Sequence, residues 1–310
     1  MKLNEATMTL EKDSRPATTA HDELVPSRFA VRVGAIDVLV VSDGPIKIPA
    51  ETTATNADPA ALTAWRDERL LPEVIDWSLN QVVVRSGDRT ILIDSGLGEE
   101  YPGFERTARW APRLEAAGID LASVTDVVLT HMHFDHVGGL LVDGVKEQLP
   151  PNVRIHAAAA EAEFWESPDF SRTVVPQPVA DAIRQSAQRF LKKYRSQLRT
   201  FESEYEVAPG VVVHRTGGHT PGHSIVRLAS GTDRLTFVGD AVLPASFDQP
   251  GWHNGFEHDP EEAVRVRLRL LRELAATGEP LVGTHLPFPS VCRASAAGDV
   301  FRWIPAFWNY

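Results

Sequence analysis

The first half of the chain contains two pairs of segments in which apolar and polar residues alternate. Alternation with a period of two is typical of a strand that has one buried face. It predicts one hairpin from residues 29–33 and 37–41, and a second from residues 81–85 and 90–93. Residues 44–80, between the hairpins, are rich in Ala, Thr and Pro. A connection of that length is usually a lid, an interface arm or an excursion with its own short helices.

Helical periodicity predicts four helices in the remaining sequence. They cover residues 105–117, 157–165, 179–198 and 260–276. Gly118 ends the first helix, and Gly278 ends the last. The last helix has a strong start signal: Asp259 as N-cap, Pro260 in the first turn and Glu262 three residues after the cap.

Four short apolar segments each end in side chains that can bind a metal. Residues 126–130 precede the run from His131 to His136, residues 211–215 precede His219, residues 235–238 precede Asp240, and residues 281–284 precede His285. Ends of neighbouring strands meet at one edge of a sheet, where α/β folds usually place their sites. We therefore expect these side chains to converge on one site.

The run His131-Met132-His133-Phe134-Asp135-His136 is the strongest chemical signal. Three imidazoles and a carboxylate so close together cannot all be buried without a large desolvation cost, so they must face water, one another or a cation. A single histidine is more often a structural residue than a ligand. The whole ordered set of histidines and aspartates favours a metal site.

Composition and charge narrow the class of protein. The chain has 310 residues, of which 43% are hydrophobic, so it can bury a large core. We expect one domain at residues 25–310 after a disordered tail at residues 1–24. The net charge of −11 disfavours nucleic-acid partners. No long apolar run predicts a membrane span, no secretory signal is evident, and the single Cys292 is interpreted as a small buried residue. A cytoplasmic protein with a small-molecule substrate is expected.

The motif H-x-H-x-D-H, followed by a distal His, an Asp and a final His, resembles that of the metallo-β-lactamase superfamily. The resemblance implies an α/β (α+β) fold, a four-layer αββα sandwich with a dinuclear metal site at one edge. The ligands it implies form two groups around a bridging residue. The first metal takes His131, His133 and His219, the second takes Asp135, His136 and His285, and Asp240 bridges them.

Two further residues are assigned to the surroundings of the metals. Asp94 lies where this superfamily keeps an acidic residue behind the site, and it is expected to orient a ligand histidine. His223 comes four residues after His219, across Thr220-Pro221-Gly222. Pro and Gly predict a tight turn there, so His223 is expected to brace the loop.

Secondary motifs resemble the branch that contains methyl-parathion hydrolase and some N-acyl-homoserine lactonases. These motifs are Ser42-Asp43-Gly44, Phe164-Trp165, Phe256-Glu257-His258-Asp259-Pro260, His285-Leu286-Pro287-Phe288-Pro289 and Arg302-Trp303-Ile304-Pro305. Two positions depart from this pattern. Glu257 stands where Asp is expected, and Leu243 stands where some lactonases place a tyrosine. That tyrosine helps to hold the lactone oxygen.

These features predict a dinuclear hydrolase. Two divalent ions lower the pKa of a shared water, so a hydroxide nucleophile exists at neutral pH. Zinc suits the histidine and carboxylate set best, with manganese, iron or cobalt as alternatives. Asp135 is the candidate catalytic residue, because its free oxygen could pass a proton to the leaving group.

Aromatic and apolar residues beside the ligand segments suggest a pocket for hydrophobic substrates. The candidate pocket residues are Phe104, Phe134, Trp165, Leu243, Trp252 and Phe288. They favour lactones and aryl esters, with phosphotriesters as the alternative. A mononuclear iron dioxygenase on the same fold is the rival from another class, although the complete second ligand group argues against it. The aromatic residues 301–310 are expected to dock on the core or to form a homodimer contact.

Overall fold

The computed structural model describes residues 25–98 and 107–306. Within these ranges, fourteen strands form two sheets of seven strands each. The predicted disordered tail, residues 1–24, lies outside the described residues, and so do Phe104 and the last four residues of the aromatic C-terminus. The predicted single domain at residues 25–310 stays a prediction.

The first sheet follows the order of the chain. Its strands are β1 (Arg28–Val33), β2 (Ile36–Pro49), β3 (Val74–Ser86), β4 (Arg89–Ile93), β5 (Asp126–Val128), β6 (Arg154–Ala158) and β7 (Leu198–Phe201). Strands β1 to β4 pair antiparallel, and β4 to β7 pair parallel. The carboxyl ends of β4, β5 and β6 therefore share one edge of the sheet.

The second sheet runs in reverse chain order, from β14 to β8. Its strands are β8 (Glu204–Ala208), β9 (Val211–Arg215), β10 (Ser224–Ser230), β11 (Asp233–Phe237), β12 (Leu281–Val282), β13 (Cys292–Ala297) and β14 (Val300–Pro305). The pair β11 and β12 is parallel, and the other neighbours are antiparallel. The ends of β11 and β12 consequently lead to the same side of the sheet.

Helices pack on the outer faces of both sheets, and one further helix lies in the excursion between β2 and β3. They are α1 (Pro59–Glu68), α2 (Trp110–Ala116), α3 (Phe134–Leu141), α4 (Val145–Gln148), α5 (Ala159–Glu166), α6 (Gln177–Tyr194) and α7 (Pro260–Thr277). Asp259 caps α7, accepting a hydrogen bond from the backbone N–H of Glu262, and Gly278 ends it with a φ of 68°. The predicted cap and stop of this helix are confirmed.

Three hydrophobic clusters separate the four layers. One lies between the sheets and contains apolar residues such as Val84, Ile93 and Phe237. A second joins the outer face of the first sheet to α2, α3 and α6. A third joins the outer face of the second sheet to α7 and contains the buried Cys292. The predicted αββα sandwich is confirmed, and so is the burial of the cysteine.

The stretch at residues 44–80, expected to be a lid, an interface arm or an excursion with its own short helices, is strand at both of its ends. Strand β2 continues past a bulge at Ser42/Gly44 to Pro49, and β3 already begins at Val74. The two strands form one long hairpin, and only the part between them, with α1 and a short 3-10 turn at Ala50–Thr53, is an excursion. A bulge absorbs the Gly-Pro step that otherwise signals the end of a strand.

Three predicted helix boundaries also shift. Helix α2 begins at Trp110 rather than at residue 105, where the chain lies outside the described ranges. Helix α5 begins after β6 has used residues 154–158, and α6 ends at Tyr194 because β7 begins at Leu198. At the last two of these boundaries, residues that helical periodicity assigned to a helix belong to a strand instead.

The described end of the C-terminal segment is an edge strand. In β14, Phe301 is buried in the cluster under α7, whereas Trp303 and Ile304 are each 40% exposed. The homodimer remains a prediction for this face. Among the described helices, none combines the length and the apolar character that crossing a membrane requires.

Candidate metal centre

The candidate ligands reach one edge of the sandwich from both sheets. His131 and His133 follow β5, and His133 is the N-cap residue of α3. Asp135 and His136 lie in the first turn of the same helix. From the second sheet come His219 in the β9–β10 loop, Asp240 after β11 and His285 after β12. The structure thus brings all seven predicted ligands together.

The first group consists of His131, His133 and His219. Each offers one ligand atom, and these atoms all lie within 4.8 Å of one another. His133 Nδ1 is 3.1 Å from His219 Nε2. Burial lowers the pKa of each of these three imidazoles well below its ordinary value, and the neighbouring histidines lower it further. Neutral imidazoles carry the free lone pairs that a metal ion needs.

The second group consists of Asp135, His136 and His285, whose ligand atoms also lie within 4.8 Å of one another. Asp135 Oδ2 lies 3.7 Å from His136 Nε2 and 3.5 Å from His285 Nε2. Burial lowers the pKa of His136, but the carboxylates of Asp240 and Asp135 outweigh it and hold that pKa well above its ordinary value. The local field therefore favours positive charge at this place.

Asp240 lies between the two groups. Its Oδ2 is 3.4 Å from His219 Nε2 and 3.0 Å from His285 Nε2, while its Oδ1 is 3.5 Å from His136 Nε2. One carboxylate thus faces ligand atoms of both groups. This position suits the predicted bridging role.

The side chains of the site fit divalent metal ions. Polar atoms that have no hydrogen-bond partner among the described residues face one another within it. They include His131 Nε2, His136 Nε2 and Asp240 Oδ1. Buried polar atoms are normally paired, so unpaired atoms grouped in this way indicate a cation-binding site. Imidazole nitrogens with carboxylate oxygens form a set that zinc accepts readily.

Asp94 lies directly behind the second group. Its Oδ2 accepts hydrogen bonds from His136 Nδ1 and from the Thr130 hydroxyl, each at 2.8 Å, and its Oδ1 accepts from the Thr130 backbone N–H at 2.8 Å. A proton on His136 Nδ1 leaves Nε2 free for a metal. Gly138 and Gly139 allow α3 to approach this loop, because a Cβ at either position would overlap a backbone carbonyl of residues 95–97.

His223 connects the β9–β10 loop to Asp240. Its Nε2 accepts a hydrogen bond from the Asp240 backbone N–H at 3.1 Å, and its Nδ1 lies 2.7 Å from the Thr216 hydroxyl. Burial lowers the pKa of His223 to about 4, which keeps the imidazole neutral and able to accept. Both ring nitrogens are used within the protein, which fits the predicted role of His223 as a brace for the loop.

A small cavity opens beside the second group. Apart from candidate ligands, it is lined by Ile46, Trp77, Phe134, Ile183 and Phe256. The Trp77 ring lies 4.6 Å from the His285 ring and 6.2 Å from the Phe256 ring, centroid to centroid. An apolar wall of this kind suits an apolar substrate group next to the metals.

Of the predicted pocket residues that the structure describes, only Phe134 lines this cavity. Trp165 is fully buried, and its ring packs edge-on against His133 at 5.7 Å. Leu243 is buried in the cluster between the first sheet and its helices. Trp252 packs on Trp65 of α1, and Phe288 packs against the cluster between the sheets.

Several residues near the site were missed from the sequence. Trp77 and Ile46 belong to the long β2–β3 hairpin, and the alternation of residues 74–79 was the signal that could have found Trp77. Glu161, buried on α5, contacts the loops on both sides of the first group. His258, named from the sequence only as part of a family motif, is buried with its ring 5.7 Å from that of His133. Its backbone N–H donates to the His219 carbonyl.

A two-sheet sandwich that gathers histidines and aspartates at one edge defines a metallohydrolase of the αββα class. Residues 75–285 match the Metallo-beta-lactamase superfamily, and the chain belongs to this family. It is similar to an N-acyl homoserine lactonase from Bacillus sp, with 22% identity over 238 residues that cover 68% of this chain and 81% of the relative.

Solved structures show the same relationship. AidC, a dizinc quorum-quenching lactonase in complex with a product, superposes with a TM-score of 0.84 and 26% identity, covering 91% of this chain and 99% of AidC. The hydrolase AbOPH of the beta lactamase superfamily superposes with a TM-score of 0.81 and 25% identity, covering 92% and 99%. The chain is a metallo-hydrolase related to dizinc lactonases.

Proposed function

We propose that this protein hydrolyses small hydrophobic ester-like substrates, lactones and aryl esters, with two divalent metal ions. The observation that carries the proposal is the arrangement of two complete three-residue ligand groups on either side of Asp240. His131, His133 and His219 would hold one ion, and Asp135, His136 and His285 the other. Zinc is the preferred metal, and manganese, iron and cobalt are alternatives with the same donors.

Bound ions of this kind supply Lewis-acid polarisation of a carbonyl oxygen and a lower pKa for water. The residues of the chain supply the rest. Asp240 fixes the separation between the two ligand groups. Asp94 keeps the proton of His136 on Nδ1. Asp135 lies at the cavity wall. There its carboxylate can take a proton from the attacking water and return it to the leaving oxygen.

The cavity supports an apolar substrate. Its wall combines aromatic and branched aliphatic side chains with Asp135, Asp240 and His285. The cavity holds about 20 Å³, room for little more than a water or a reacting carbonyl, so the acyl or aryl group of a substrate would extend from it past Trp77 and Phe256. The names of the relatives support a lactone as one such ester. Leu243 gives no hydroxyl three residues after Asp240, so a lactone oxygen would be held without a tyrosine, through the polarisation that bound metal would supply at the ligand groups.

A hydrolysis panel tests the proposal. Protein whose metal content has been measured is assayed with acyl-homoserine lactones, aryl esters and phosphotriesters, and chelated protein is the control. We expect about two ions per chain and turnover of hydrophobic lactones or aryl esters that is lost on chelation. One ion per chain with no gain on adding zinc or manganese would contradict the dinuclear site. A clear preference for phosphotriesters would favour the alternative hydrolase, and oxidation of a thioester by iron-loaded protein would favour the dioxygenase.

A further inference from the structure

Glu161 on α5 is a buried carboxylate that accepts four hydrogen bonds. Its Oε1 accepts from the Met132 backbone N–H at 2.8 Å and from Trp165 Nε1 at 2.7 Å. Its Oε2 accepts from the Thr220 hydroxyl at 2.6 Å and from the Gly222 backbone N–H at 3.0 Å. The residue is 1% exposed. All four partners donate, so the arrangement is complementary to the ionised carboxylate.

Three of these four partners, Met132, Thr220 and Gly222, belong to the two loops that carry the first ligand group. Met132 lies between His131 and His133, and Thr220 directly follows His219. The two loops come from different sheets, and Glu161 bonds to both of them. One carboxylate therefore bridges the two halves of the group.

The fourth partner adds a contact with a ligand ring. Trp165 lies one helical turn after Glu161, and its ring packs edge-on against His133 at 5.7 Å. Hydrogen-bonded to Glu161, the indole has one orientation, and it limits the rotation of the His133 imidazole. Gly222 is also suited to this contact, because a Cβ there would overlap the backbone of Glu161.

We infer that Glu161 is a positioning residue that sets the separation between the His131/His133 pair and His219, and thereby the affinity of the first metal position. The inference rests on the proposed function. A residue that only stabilised the fold would affect the two metal positions alike or not at all. Glu161 contacts the loops of the first group, whereas Asp94 contacts His136 of the second.

The principal variant is Glu161→Gln. Its amide nitrogen would face two donors wherever it is placed, so two of the four hydrogen bonds must break. Protein freed of metal by a chelator is titrated with Zn²⁺ alone, and a chromophoric chelator competes for the ion and reports its free concentration. We expect one of the two binding steps to weaken by about tenfold or more, as for residues that orient metal ligands, and the other to keep its affinity. Co²⁺-loaded protein should show altered visible bands for one ion only.

A second, milder pair of variants tests the inference even if Glu161→Gln fails to fold. Thr220→Val removes one donor from Glu161 without changing the volume of the side chain. Thr284→Val is the matched control, because Thr284 is equally buried beside His285 but its hydroxyl has no partner among the described residues. Thr220→Val should weaken the same binding step as Glu161→Gln, by a smaller factor, and Thr284→Val should leave both steps unchanged.

The outcomes separate the inference from the proposed function. Wild-type protein that takes up no Zn²⁺ or Co²⁺ would contradict both. Wild-type protein that binds two ions, together with Glu161 and Thr220 variants that bind them equally well, would overturn the inference alone. Equal weakening of both binding steps would also overturn it, since that result indicates a general loss of stability.

Discussion

Replacing Asp94 with Asn tests how the second ligand group is oriented. Asn is nearly isosteric, and it tolerates the positive φ of 59° that this residue adopts. The backbone N–H of Thr130 cannot reverse its polarity, so the amide oxygen must face it. The amide NH₂ then faces His136 Nδ1, which is a donor in the wild-type protein. The imidazole can relieve this conflict by moving its proton to Nε2, where the proton blocks metal binding.

The size of the effect follows from these contacts. The variant loses a charge-assisted hydrogen bond to His136 at 2.8 Å and stabilises the wrong tautomer. Comparable changes behind metal-binding histidines cost about 10–100-fold in metal affinity, or roughly 1.4–2.8 kcal/mol. We expect this loss in one binding step only, because Asp94 makes no direct hydrogen bond to the first group in the described structure.

The measurement is a competitive Zn²⁺ titration of Asp94→Asn, with thermal unfolding of the chelated protein as the stability check. Asp43→Asn is the matched control. Asp43 is also fully buried and accepts hydrogen bonds from the backbone N–H groups of Leu97 and Trp110, but it contacts no candidate ligand. Asp43→Asn should lower stability and keep both binding steps. If Asp94→Asn binds Zn²⁺ as tightly as the wild type, the tautomer argument is refuted.

Two further predictions concern a pair of histidines and a distant carboxylate. His219→Ala should lower metal content and abolish most activity, whereas His223→Ala should mainly lower stability. Metal content is measured by elemental analysis. Loss of metal from the His223 variant, with metal kept by the His219 variant, would show that the two assignments are reversed. Burial raises the pKa of Asp126, but hydrogen bonds from His156 and Arg89 outweigh it and lower the pKa from 3.8 to about 2. This stabilisation of about 2 kcal/mol is present above pH 4 and is lost as the pH falls through 2, so Asp126→Asn should remove that pH dependence from acid unfolding of chelated protein.

The sequence predicted the strands that lead to the site because their signals are local. An apolar run followed directly by His or Asp needs no knowledge of distant residues, and the ends of β5, β11 and β12 show this pattern. The assignment of ligands to two groups came from the family resemblance. The structure supplies the distances from Asp240 to ligand atoms of both groups and the contacts of His223 on both of its nitrogens.

The long β2–β3 hairpin was missed because two local rules conflict there. Gly44-Pro45 signals a turn, while Ile46 and Ile48 continue the alternation with the exposed Lys47 between them. The bulge at Ser42/Gly44 resolves the conflict in favour of the strand. This extension carries Ile46 and Trp77 to the cavity, so the same error also concealed part of the cavity wall beside the candidate ligands.

The residues that hold the ligands from behind were only partly predictable, for a physical reason. Asp94 follows a strand end at a position that the family pattern marks. Glu161 has no such mark: a glutamate on a helix is usually solvent-exposed, and its four donors come from segments up to 61 residues away. A buried carboxylate is stable only when donors from several elements surround it, and that condition belongs to the folded chain. Trp165 was predicted to line the pocket on the same local grounds, and its bond to Glu161 directs it to His133 instead.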